Sequence, residues 1–256
     1  AGLDDVTALE IAADAKPKDA LARARLALGH FYQGDAEPAE AAAAAALKLD
    51  KKQPIARYIM AEVTLRKGDA AAGKALIEGL IADGHDSYDL RVRLSELAVT
   101  DGDLAGAIAQ LCAAKRLDPE RSYPYQALAE IYKKQQRDDD ALAELEHFVM
   151  LEQMQVAPLR ELIDGYAGRG AWAKVKTYGE MALAIYPSDA ELLITLAKAY
   201  LALGDGAAAV TSALATSPAW WPPMPSDSAS STPRSCTSMR IVALLADPPC
   251  PGHVDR

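Results

Sequence analysis

Asparagine is absent from this chain of 256 residues, so no N-glycosylation acceptor exists in it. Cysteine is scarce. Cys112, Cys236 and Cys250 form no close pair and no set of ligands that would suggest a zinc motif or a disulfide framework, which leaves the redox compartment undetermined. The four histidines, His30, His85, His147 and His253, are scattered. Glu144-x-x-His147 has the spacing of half a di-iron site, but no second such pair occurs, and the two read as neighbours on a helix surface. A Gly-rich phosphate loop, a Gly-x-Ser-x-Gly elbow and a His-Glu-x-x-His helix are all missing, so no catalytic residue, metal or cofactor is assigned. No apolar run approaches the roughly 18 residues of a membrane span. Positive charge is also in deficit: 27 Lys and Arg stand against 36 Asp and Glu, for a net charge of -9, which argues against a phosphate-binding surface. Aromatics make up 6% of a chain that is 50% hydrophobic, a thin packing inventory for one globule but a suitable one for alanine-rich helices that bury their faces on neighbours.

What the chain does have is a period. Gly34-Asp35 returns at Gly68-Asp69, Gly102-Asp103 and Gly204-Asp205, at intervals of 34, 34 and three times 34 residues. Such a period in helical sequence marks a stacked helix-turn-helix array. With Ala20 as position 1, position 7 reads Leu26, Met60, Leu94, Leu128, Leu162 and Leu196, always large and apolar. Position 8 reads Ala27, Ala61, Ser95, Ala129, Ile163 and Ala197; position 20 reads Ala39, Gly73, Ala107, Ala141, Val175 and Ala209. Small residues at both places let two helices approach closely. The glycine of each Gly-Asp pair suits the left-handed end of a first helix, and the aspartate suits the cap of the second. The fourth turn reads Gln136-Arg137-Asp138-Asp139-Asp140 instead, with acidic caps but no glycine. In the fifth, Ile163 and Val175 occupy both small positions while Gly179 stands where a large residue is usual, a compensating exchange within one packing layer.

These residues resemble the tetratricopeptide repeat, with Tyr132, Tyr166 and Tyr200 at its aromatic position 11 and Pro119 and Pro187 at its proline position 32. The resemblance implies an all-α, right-handed superhelical solenoid in which residues 20–217 make six repeats (20–53, 54–87, 88–121, 122–155, 156–189 and a shortened 190–217). Residues 1–19 are then the second helix of a truncated preceding repeat, with helix from Leu3 to Lys16, and an upstream portion is expected. From Pro218 onward the composition turns to proline and serine, with Trp220, Trp221 and the cluster Ser226 to Ser231, which predicts a disordered tail over 218–256; a short apolar turn from Ile241 to Leu245 could cover the open end.

In the family a concave groove is lined by positions 2, 5, 9, 12 and 13 of each first helix, with position 6 in part. The resemblance therefore nominates Tyr58, Arg66, Arg93, Tyr123, Gln126, Lys134 and Arg160 as peptide-binding residues, two aromatic platforms among donors for a carboxylate or a peptide backbone. One use of the fold is excluded. Family members that hold the acidic C-terminal peptide of heat-shock chaperones need clamp asparagines, and position 9 here reads Leu28, Glu62, Glu96, Glu130, Asp164 and Lys198. The implied function is a non-catalytic scaffold that binds a peptide or partner domain in the groove, or self-associates through exposed repeat ends, without nucleic acid or a membrane span. The in-phase start at Ala1 motivates an alternative, the repeat-bearing portion of a larger bacterial enzyme such as a peptidase or transferase. An RNA-binding helical repeat is a third reading, which the acidity disfavours.

Overall fold

A computed structural model describes residues 5–215, and every regular element among them is an α-helix. Helix α1 (Val6–Ala15) precedes twelve further helices among the described residues. Packed pairwise are α2 (Ala20–Gln33) with α3 (Ala36–Leu49), α4 (Pro54–Arg66) with α5 (Ala70–Ala82), and α6 (Tyr88–Thr100) with α7 (Leu104–Leu117). Then follow α8 (Tyr123–Lys134) and α9 (Asp138–Leu151), and two more pairs, α10 (Val156–Ala167) with α11 (Trp172–Ile185) and α12 (Ala190–Ala202) with α13 (Gly206–Ala215). Contacts cluster the chain into two compact units, one ending at Ile131 and the other beginning at Tyr132. The proline- and serine-rich segment from 218 onward and the apolar stretch Ile241 to Leu245 lie outside the described residues.

The turn within each pair follows directly from its two signal residues. Gly68 takes φ 92°, which a side chain would strain, and its N–H donates to the Leu65 carbonyl at 3.0 Å while Asp69 N–H reaches back to Thr64 at 3.2 Å. The Asp69 carboxylate then accepts from Ala72 N–H at 3.0 Å and caps α5. Asp103 and Asp205 cap α7 and α13 in the same way, at 2.8 Å and 3.1 Å. Asp35 is the exception: its side chain makes no cap bond to α3.

The fourth turn departs from expectation in an informative way. Gln136 holds the left-handed conformation, φ 58°, without a glycine's freedom, and the backbone bonds of the Gly-Asp turns recur as Gln136 N–H to Lys133 and Arg137 N–H to Tyr132. The three aspartates do not cap α9. They lie inside its first turn, where their charge meets the positive end of the helix dipole, while Arg137 occupies the cap position and pairs with Asp140 at 2.6 Å.

Packing explains the period. All twelve residues at positions 8 and 20 are buried, and position 7 is buried at Leu94, Leu128, Leu162 and Leu196 and half-buried at Leu26 and Met60. In the first unit one core joins Ala24, Ala27, Ala39, Ala43 and Ala46 to Ala56, Ile59 and Val63 across α2, α3 and α4. A second joins Ala61, Ile77, Leu80, Leu90 and Leu94 across α4, α5 and α6. Helices α4 and α5 approach closely at Gly73, where a Cβ would fall 2.4 Å from Leu65 Cγ. In the second unit Gly179 leaves room for Leu196: a Cβ there would lie 2.6 Å from Leu196 Cδ2. The missing volume at Gly179 is thus met by the first helix of the next pair.

Candidate functional site

The first unit carries a groove of about 740 Å³ beside α2, α4 and the start of α6. Its apolar lining is Leu28, Ile55, Leu80 and Leu90, its aromatic lining is Tyr32 and Tyr58, and its polar rim is His85, Asp86, Ser87 and Asp89. Local sequence sets these positions. Pro54 opens α4 at a place where a missing N–H costs nothing, and the buried Gln53 caps the helix by accepting from Ala56 N–H at 2.9 Å. That start places Ile55, Tyr58 and Glu62 along one face at helical spacing. Gly84, at φ 90°, ends the turn after α5, and Ser87 caps α6.

Tyr58 is half-buried, and its hydroxyl pKa is pushed up to about 12, first by burial and then by the nearby Glu62 carboxylate. It therefore stays a neutral donor at any physiological pH. Among the described residues its hydroxyl has no hydrogen-bond partner. Tyr32 is 66% exposed and presents an open ring to the same groove.

Next to this groove, Glu62 is 5% exposed and is held by Arg93 from the following pair. Arg93 donates through Nε at 2.9 Å and Nη2 at 3.1 Å to the two Glu62 oxygens, and through Nη1 at 2.9 Å to Glu96. A guanidinium whose fork is already filled by two carboxylates acts first as a strut between α4 and α6. Arg160 is in a similar position in the second unit, held by Asp189 and, at 3.2 Å, by Glu191. Arg66 lies over the Phe31 ring at 4.0 Å. Tyr123 and Gln126 are exposed on one face of α8, with the Tyr123 hydroxyl pKa raised by partial burial and then by Glu96 and Glu130. Lys134 is exposed at the end of α8. Tyr58 and Arg93 thus both lie near Glu62, Arg93 bonded to it and Tyr58 within reach of its charge, whereas Lys134 and Arg160 belong to the other unit.

Sequence reasoning did not nominate Leu28, Tyr32 or Ile55. They stand at positions 9, 13 and 2, the same lining positions that nominate Tyr58, and a search weighted toward charged side chains passes over the two aliphatics.

The densest polar cluster lies in the second unit. Glu146 Oε1 accepts from Tyr166 at 2.9 Å, Tyr178 at 2.8 Å and Lys174 at 2.7 Å, and the two tyrosine rings stack at 6.1 Å. Burial alone would raise the Glu146 carboxyl, but the bonds from Lys174, Tyr178 and Tyr166 outweigh it and hold the pKa below the usual carboxylate value. Lys174 is held charged by its bond to Glu146, so it offers no free base, and the cluster reads as a latch between α9, α10 and α11. His147 turns its Nδ1 toward the Ala143 carbonyl at 2.9 Å. Among the described residues no group of His, Cys, Asp and Glu is placed to hold a metal, and no helix is long and apolar enough to cross a membrane.

The helix pairs, the buried small residues and the left-handed turns define a tetratricopeptide repeat fold, and solved structures agree. The chain is similar to YrrB, a TPR protein with an unusual peptide-binding site, at TM-score 0.54 and 20% identity over 73% of this chain and 96% of that one. PilF of Pseudomonas aeruginosa matches at TM-score 0.52 and 18% identity, covering 78% of this chain and 91% of that one. A tetratricopeptide repeat protein from Parabacteroides merdae matches at TM-score 0.50 and 14% identity, over 75% and 77%. No family model matches the chain, and no curated protein sequence does.

Proposed function

We propose that the protein is a non-catalytic interaction scaffold whose groove beside α2, α4 and α6 receives an extended or helical segment of a partner protein. The observation that supports this most is the combination in one concavity of aliphatic lining, two tyrosines and an unpartnered, half-buried hydroxyl. Aromatic side chains in partly desolvated pockets dominate binding energies, because they bury much area and add a directed hydrogen bond. The neighbour YrrB carries a peptide-binding site on the same fold, which agrees with this use. Tyr123, Gln126 and Arg66 extend the surface within the first unit, and Lys134 and Arg160 are candidate contacts on the second unit taken by itself. On the same reading residues 20–217 are six repeats, 1–19 close a preceding one, and exposed repeat ends are where copies of the chain would associate. The test is a peptide selected on the immobilised chain from a random library, then titrated against Tyr58→Ala and against Glu78→Ala on the exposed face of α5, each first shown by circular dichroism to keep its helix content. Affinity falling only in Tyr58→Ala supports the groove; equal affinity in both variants rejects it.

A further inference from the structure

The charge pattern of the groove narrows its ligand, on the reading just given. Its formal charges are both carboxylates, Asp86 and Asp89. Asp86 is already compensated, because Arg91 donates to its two oxygens at 2.7 Å and 2.8 Å. Asp89 is not. Its side chain is 75% exposed and meets only the edge of Arg121 at 3.3 Å, and that guanidinium sits over the Tyr88 ring at 4.4 Å. Beside this lightly held carboxylate the groove presents the open Tyr32 ring and the neutral Tyr58 hydroxyl. Aromatic faces next to a carboxylate attract a cation twice, through the ring quadrupole and through charge. The nearby guanidinium that could have received an anion, Arg93, has its fork filled by Glu62 and Glu96.

We infer that the groove takes a peptide carrying a lysine or arginine that settles among Tyr32, Tyr58 and Asp89, with a neighbouring apolar side chain against Leu28 and Ile55. An acidic segment or a chain-terminal carboxylate meets Asp89 with like charge and is rejected. On this reading Arg93 does not grip a carboxylate of the ligand, one of the two groups, carboxylate or peptide backbone, for which the resemblance nominates it.

The full chain is panned against a random peptide library. The enriched consensus is then synthesised with its basic residue and with glutamine in that place, and both peptides are titrated by fluorescence anisotropy against the chain, Asp89→Asn, Tyr58→Ala and the control Glu78→Gln. The expected consensus pairs a basic with an apolar residue; the glutamine peptide binds roughly tenfold more weakly, and Asp89→Asn weakens the basic peptide but not the glutamine one. Glu78→Gln leaves both unchanged. An acidic or uncharged consensus whose binding is still lost in Tyr58→Ala overturns the cation inference and leaves the groove reading standing. Binding unaffected by Tyr58→Ala, or no enrichment above bare matrix, overturns both.

Discussion

Replacing Arg93 with alanine tests how the groove is built. The substitution removes both hydrogen bonds to Glu62 and leaves a carboxylate that is 5% exposed without its counter-charge. Breaking a fully buried pair costs about 3–5 kcal/mol, mostly from the stranded charge. Here the Arg93 side chain is 32% exposed and water reaches the pair from that side, so the expected loss is near the lower end, about 3 kcal/mol. The double variant Glu62→Gln, Arg93→Met removes the stranded charge and keeps apolar volume, and should recover more than half of that loss. Arg121→Ala is the surface comparison: its partner Asp89 is 75% exposed, and losing the pair together with the Tyr88 contact should cost no more than about 1 kcal/mol. Urea denaturation followed by circular dichroism gives the three midpoints. Arg93→Ala no less stable than Arg121→Ala, or a double variant worse than the single, would refute the strut.

Leu128→Ala should cost roughly 2–5 kcal/mol by opening a cavity, and Ala129→Phe roughly 1–3 kcal/mol or more by overpacking, since both are fully buried, whereas the exposed Lys134→Ala should stay within about 0.5 kcal/mol; similar midpoints for all three would contradict the packing register. Gln136→Gly should stabilise by about 1 kcal/mol in the same assay, because φ 58° strains glutamine but not glycine, and a destabilised variant would mean that the Gln136 side chain contributes more than its backbone costs. The folded Tyr58 pKa of about 12 lies above the unfolded 10.0, so its contribution is whole below pH 10 and is lost as pH rises toward 12. The wild-type chain should accordingly lose stability faster than Tyr58→Phe over that window, and parallel curves would place Tyr58 in water.

The fold was largely legible because each repeat states its packing locally. A small residue at position 8 or 20 matters only where two helices touch, so Ala27, Ala61, Ala129 and Ala197 mark the contact every time they recur, and Gly68-Asp69 spells both the end of one helix and the cap of the next. The fourth turn was harder to read because Gln136 keeps the backbone conformation without the residue that announces it. The groove was legible as register but not as chemistry. Position 5 of the second repeat points to Tyr58, yet nothing in the order of residues says that Arg93 is already bridged to a buried Glu62 from the preceding pair. Asp86 and Asp89 look alike in the sequence until the pairs are joined, and then Asp89, 75% exposed, is the less firmly held of the two.

Hydrogen exchange of the full chain, read by mass spectrometry with and without a saturating library-selected peptide, tests the central claim most directly. Slowed exchange at the end of α2, the first turns of α4 and the segment from Gly84 to Leu90, with α11 to α13 unchanged, is the result expected of a ligand seated on Tyr32, Ile55 and Tyr58. Protection confined to α11 to α13, or spread evenly over all the helices, would contradict a groove in the first unit as the binding site.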